Sequence, residues 1–232
     1  MELPAKDRNN LSKKLWDKDM KMSEEVLEKI EKIANDFIKS LKVSAPIRDI
    51  VITGSMANYN YTPQSDIDVH IIVDLERFGI QKDLAEAFFD AARRIWNSKH
   101  DIRIKGHEVE VYVHEPKEVP KSAGSFSILD KEWVSLPIKS DLDYDRSTIL
   151  KKSKDIADQI DNLAGKKNSY EKLGRIKDKI TKMRAAGLQT GGERSTENII
   201  FKVLRRNGYL QKLFEELQKQ YDTSMSLSER EK

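Results

Sequence analysis

The chain has 232 residues, with 42 Lys and Arg against 39 Asp and Glu, and contains no cysteine. Disulfides, thiolate zinc sites and cysteine nucleophiles are therefore excluded, and the length accommodates a catalytic domain with a smaller second one, or one large domain. No apolar run approaches the roughly 18 residues of a membrane span, and the N-terminus lacks the apolar stretch of a signal peptide, so a cytoplasmic protein with no membrane partner is expected.

Residues 1–22 are polar and densely charged, without a clear period, and read as a tail or a loosely packed lead-in. Ser23 is placed to cap a helix whose first turn holds Glu24 and Glu25. Val26, Leu27, Ile30, Ile33, Ala34, Phe37, Ile38 and Leu41 then recur at helical spacing, predicting an amphipathic helix over 24–42 that stops at Ala45-Pro46. Asp49–Thr53 is a short β-branched strand ending in Gly54-Ser55. A polar loop over 56–65 leads to a second strand, Ile67–Val73.

A helix over about 80–98 is expected to bury Leu84, Ala87, Phe88, Ala91, Ala92, Ile95 and Trp96. Ile102–Ile104 and Glu108–His114 read as a hairpin around Lys105-Gly106. Residues 116–145 look irregular, with Trp133 as an anchor to the core. Three helical patterns follow, at about 146–164, 168–186 and 195–221, punctuated by Gly187 and Gly191-Gly192. The whole reads as an α+β fold. A small mixed sheet flanked by helices occupies 23–143, a basic helical segment 144–221, and a frayed tail 222–232.

Charge is unevenly placed along this outline. Residues 146–206 hold 16 Lys and Arg but 7 Asp and Glu. Such a surplus suits phosphate groups or nucleic acid, although solvated helix faces show it too. Lys202 and Arg206, four apart, share one helix face. With Lys179, Lys182 and Arg184 they suit a clamp on a triphosphate or an RNA backbone.

The densest chemistry lies in residues 54–68. Asp66 and Asp68 are two apart on an extended strand, so their side chains leave the same face, roughly 7 Å apart at Cα. His70 shares that face. On the later strand, Val109, Val111 and Val113 point to the core, leaving Glu108, Glu110, Tyr112 and His114 on the other side. Tyr59 and Tyr61 sit in the loop, either to stack on a base or to pack against the second helix.

Gly54-Ser55 after an apolar strand, ten residues, and then Asp66-x-Asp68 on the next strand resembles the nucleotidyltransferase superfamily related to DNA polymerase beta. The resemblance covers roughly residues 47–114. It implies that Asp66 and Asp68 hold two Mg²⁺ or Mn²⁺ ions and that a third carboxylate completes the set. Hard cations take carboxylate oxygens, and two ions serve both ends of an in-line phosphoryl displacement. Gly54 and Ser55 would cradle the β- and γ-phosphates of an NTP such as ATP, Gly because the backbone must approach closely.

For the third carboxylate, alternation does not choose between Glu108 and Glu110. Glu110 is favoured because the family's position sits inside its strand between apolar neighbours. The implied activity is transfer of a nucleoside monophosphate to an acceptor hydroxyl with release of pyrophosphate. The acceptor stays open among RNA, protein, small molecule and nucleotide, with the basic helices tilting toward RNA or tRNA. Two other readings are a toxin–antitoxin or phage-defence component modifying protein or tRNA, and a degenerate nucleotide- or RNA-binding module.

Overall fold

β-branched runs and short turns assemble a six-stranded mixed sheet in the computed structural model, which describes residues 1, 7–43, 46–74, 81–116, 124–139 and 145–227. The strands are β1 (Ile47–Thr53), β2 (Ile67–Val73), β3 (Arg103–Ile104), β4 (His107–His114), β5 (Ser125–Ser127) and β6 (Glu132–Ser135), ordered β3-β4-β2-β1-β5-β6. β2 runs antiparallel to β1 and parallel to β4, so the strands that carry the acidic residues lie side by side. Lys105 and Gly106 both take positive φ in the β3–β4 turn, the geometry of a tight hairpin. The sheet, α1 (Glu24–Ser40) and α2 (Lys82–Lys99) belong to one unit, Ala5–Asp141; the other comprises Leu142–Lys232 and Met1–Pro4. The change-over predicted at 143 lies outside the described residues, as do Ala45 and the last five residues of the expected tail.

α1 buries the predicted stripe from Val26 to Ile38. Ser23 occupies its N-cap position without a side-chain capping bond, while Glu24 and Glu25 pair with Lys131 and Lys105.

The polar tail or loosely packed lead-in expected over 1–22 is corrected within its described part, residues 7–22. Leu11, Leu15, Trp16 and Met22 are buried in the same core as α1 and the sheet. Trp16 packs edge-on to Phe126 and against Trp133, and its indole N–H donates to the Met56 carbonyl at 2.7 Å. Trp133 returns a bond to the Met20 carbonyl. The charges of Lys13, Lys14, Asp17, Lys18 and Asp19 hide this apolar set from a periodicity count. Two short strands, β5 and β6, likewise replace part of the irregular stretch expected over 116–145.

The predicted face of α2 is also corrected. Leu84, Phe88 and Ile95 are exposed, whereas Ala85 and Phe89 are buried and Ala92 and Trp96 pack on the core. β3 pairs with only the first two residues of β4, leaving the outer edge of β4 in need of a partner. Asn97 supplies one, accepting from Val111 N at 3.0 Å and donating to Val111 O at 3.1 Å. That two-point attachment fixes the helix rotation and selects the Ala85–Phe89–Ala92–Trp96 stripe.

The second unit is a set of four helices, α3 (Arg146–Leu163), α4 (Tyr170–Gly191), α5 (Thr196–Arg206) and α6 (Tyr209–Met225), around a core that includes Ile160, Leu173, Ile200 and Leu204. The single pattern expected over 195–221 is broken at Gly208, whose φ of 77° ends α5. Gly187, expected as punctuation, lies inside α4, where an added Cβ would stand 2.5 Å from Ser195 Oγ and 2.6 Å from Glu197 Cβ. Gly187→Ala should therefore lower the unfolding free energy by about 1–3 kcal/mol through overpacking, despite a propensity gain of about 1 kcal/mol. Urea unfolding followed by helical signal checks this; an unchanged midpoint would mean that α5 shifts freely.

Candidate active site

The site is built where β1 ends. Gly54 leaves β1 with φ 74° and ψ −160° and opens a short 3-10 turn, Ser55–Ala57. Thr53 is the cross-strand partner of Asp68, so the next residue passes directly over that carboxylate. A Cβ on Gly54 would lie 2.0 Å from Asp68 Oδ2. Glycine is required here on two counts, backbone conformation and space.

Polar side chains lock the loop that follows. Asn58, buried, donates from its amide to Gly54 O at 2.8 Å, and its backbone N–H donates to Ser55 O. The Ser55 hydroxyl donates to Ser65 Oγ at 2.8 Å, and Thr62 N donates to the same oxygen at 2.9 Å. Ser65 O in turn accepts from His107 Nδ1 at 2.6 Å, which fixes the tautomer of that buried histidine. Asp66 is the next residue, half-buried, just ahead of β2.

The parallel register pairs Asp68 with Glu110 on adjacent strands, which run about 4.8 Å apart. Glu110 is half-buried and accepts a hydrogen bond from the Tyr112 hydroxyl. Glu108, one pair nearer the turn, faces Arg103 at 3.7 Å. Gly54, Asp68 and Glu110 are thus brought together, with Ser55 and Asp66 on the turn and loop that flank them. Lys202 and Arg206 lie on α5 in the other unit. Among the described residues no group of three or more His, Asp or Glu is gathered closely enough to hold a metal ion. The donor chemistry nonetheless suits a hard cation, since Asp66, Asp68 and Glu110 offer only carboxylate oxygens, and the side chain absent at Gly54 lets the Asp68 carboxylate come up against the turn.

Behind the carboxylates the same face carries a ring stack. His70 lies between Tyr112 and His114, with centroids 5.0 and 4.9 Å away, and Arg93 sits over Tyr112. Burial, aided by the charges of His114 and Arg93, pulls the His70 pKa down to about 3. Its Nε2 bonds Thr53 Oγ1 at 2.8 Å. Burial and the bond to Glu110 push the Tyr112 hydroxyl well above its ordinary value, so it stays protonated.

His70 gives a pH-dependent stability with a definite sign. The folded state refuses a proton that the unfolded chain takes up below about pH 6.5, so stability falls as pH drops, by up to about 1.4 kcal/mol per unit toward pH 3. Between pH 7 and pH 5 the protein should lose about 2 kcal/mol more than a His70→Gln variant in urea titrations. Equal losses would show that another group carries the acid sensitivity.

Several of these residues were not legible beforehand: Asn58, Ser65, His107, Arg93 and the Tyr112–Glu110 bond. Tyr59 and Tyr61 pack on the core that also holds Ala85 and Phe89 of α2, and Arg8 holds their backbone, its N–H and Nε donating to Tyr59 O and Tyr61 O.

Residues 28–131 match the nucleotidyltransferase domain family model, from within α1 to the residue before β6. Just under half of the chain is thus similar to a nucleotidyltransferase domain. No curated protein matches it. The solved structure of a STING-associated CdnE c-di-GMP synthase from Capnocytophaga granulosa aligns over 88% of this chain and 83% of its own at 13% identity, with a TM-score of 0.20. A likeness that slight carries no argument.

Proposed function

We propose that the protein transfers the nucleoside monophosphate of an NTP to an acceptor hydroxyl, releasing pyrophosphate. The observation that carries this reading is the close approach of Gly54 to Asp68 with Glu110 beside it. The acceptor oxygen forms a bond to the α-phosphorus while the α–β bridging bond breaks, and the acceptor's proton must depart. Asp66, Asp68 and Glu110 are the residues to hold two divalent ions, Mg²⁺ or Mn²⁺. When bound, such ions offset the charge developing on the attacking and leaving oxygens. Tyr112 holds the Glu110 carboxylate in place. The backbone N–H groups at Gly54-Ser55 serve the β- and γ-phosphates, with the Ser55 side chain positioned by Ser65. Lys202 and Arg206 are the nucleotide-binding candidates of the helical unit.

Among acceptors, RNA or tRNA is favoured by the basic surplus of residues 146–206. A protein hydroxyl, as a toxin–antitoxin or phage-defence enzyme would use, is the other reading. Among the described residues no helix is long and apolar enough to cross a membrane.

The test is incubation with α-labelled NTPs, Mg²⁺ or Mn²⁺, and total RNA or lysate, against an Asp66→Asn/Asp68→Asn variant. Label should move to RNA only with the intact pair. Label on protein would reassign the acceptor, and a chain that neither transfers label nor binds NTP would fit the non-catalytic module. In the same assay Glu110→Gln should lower transfer by more than about 100-fold, beyond the cost of losing a residue that merely supports a metal ligand. Glu108→Gln should change it by less than about threefold, in keeping with a residue that makes no special transition-state contact. The reverse order would exchange the two roles.

A further inference from the structure

Residues 7–14 and the loop Tyr61–Pro63 border a groove of about 580 Å³, with His107 at one side. It is separate from the carboxylates. His107 shares the core side of β4 with Val109 and Val111, whereas Glu108 and Glu110 leave the opposite face. Three cations, Arg8, Lys13 and Lys14, line the groove against the one carboxylate of Asp7. All three are exposed, and none makes an ion pair among the described residues.

The fold puts those charges there. Leu11, Leu15 and Trp16 are buried, so the intervening Lys13 and Lys14 are turned outward. Lys14 Nζ comes within 3.6 Å of where a side chain on Gly106 would begin, at the β3–β4 turn. Arg8 is held more firmly. Its Nε donates to Tyr61 O at 3.1 Å and its guanidinium lies 4.6 Å from the Tyr61 ring centroid, while its terminal nitrogens bond no described residue. Like charges gathered along one concave wall repel one another unless an anion lies between them. A fixed guanidinium, two exposed ammonium groups and a tyrosine suit a chain of phosphates bearing stackable bases, and the volume exceeds the needs of a single phosphate.

We propose that this groove binds single-stranded RNA, with phosphates on Arg8, Lys13 and Lys14. That the RNA is the acceptor rests on the transfer reaction proposed above; the binding itself does not. The two sites share Ser65, whose carbonyl accepts from His107 at the groove and whose hydroxyl accepts from Ser55 at the turn. An RNA held here therefore touches the loop that leads into Asp66.

The experiment is fluorescence anisotropy of the full chain with a fluorescein-labelled, mixed-sequence single-stranded RNA of about a dozen nucleotides, within the span such grooves cover. Three phosphate contacts predict a log–log salt slope of about −2. Arg8→Gln/Lys13→Gln/Lys14→Gln should bind at least about tenfold more weakly with a slope nearer zero. Lys13→Gln/Lys14→Gln, which keeps the Arg8 bonds to the loop, should fall between, which separates lost charge from a disturbed fold. Equal affinity for wild type and the triple variant, or no RNA binding by wild type, overturns the proposal. So does full displacement of the RNA by ATP at equal phosphate concentration, which would assign the groove to free nucleotide. Mn²⁺-dependent NTP binding by calorimetry on the same samples tells the two readings apart. NTP binding with RNA binding indifferent to the triple substitution sinks only the groove; RNA binding through the groove without NTP binding sinks only the transfer reaction.

Discussion

Gly54→Ala should lower nucleotide transfer by about 100-fold or more while leaving the protein folded, the order of loss that a displacement near 1 Å produces at a reacting centre. A Cβ at this position stands 2.0 Å from Asp68 Oδ2, far inside contact distance. Either the turn or the carboxylate must move by an ångström or more. The backbone resists as well: φ 74° with ψ −160° is a region essentially reserved to glycine, and a side chain there costs about 1–3 kcal/mol. The turn is not free to relax outward, because Asn58 grips Gly54 O and Ser65 grips Ser55. Transfer of labelled nucleotide is the readout, with urea unfolding as the control. A variant that keeps the parental rate would show that the close approach has no part in the chemistry.

Trp16→Ala should remove about 3–5 kcal/mol of stability, the usual cost of truncating a buried large aromatic. Trp16 is only 2% exposed and joins three elements: its own segment, the Ser55–Ala57 turn and the β5–β6 hairpin. Truncation leaves a cavity against Phe126 and Trp133 and strands the Met56 carbonyl without its donor. A residue in a polar tail would change stability by less than about 0.5 kcal/mol, so the two expectations differ several-fold. Denaturant unfolding decides between them. Transfer should weaken too, since Met56 belongs to the turn that carries Ser55, and Trp16→Phe should recover most of the packing without the hydrogen bond.

The strands that carry Asp68, Glu108 and Glu110 were readable from period-two alternation, because the side on which a strand residue projects is a local property of extended backbone, whereas Asp66, expected on the same strand, falls one residue ahead of β2. α1 was equally readable, its apolar stripe uninterrupted from Val26 to Ile38. The face of α2 was not. Leu84, Phe88 and Ile95 form as good an apolar set as Ala85, Phe89, Ala92 and Trp96, and only Asn97 on the edge of β4 breaks the tie. The break at Gly208 was missed for a related reason, since apolar spacing runs on through it while its positive φ turns the chain.

What the sequence determined alone was the chemistry available: a glycine-serine turn, two aspartates on one strand face, and a glutamate pair on a later strand. Tertiary structure decided which of these meet. The parallel register of β2 and β4 set Glu110, not Glu108, beside Asp68, and the course of β1 laid Gly54 over that carboxylate. It also drew Trp16 into the core and turned Lys13 and Lys14 out to line a groove. Face alternation and helical period follow from backbone geometry within a few residues. Register, docking rotation and burial depend on contacts between distant segments, and no local period encodes those.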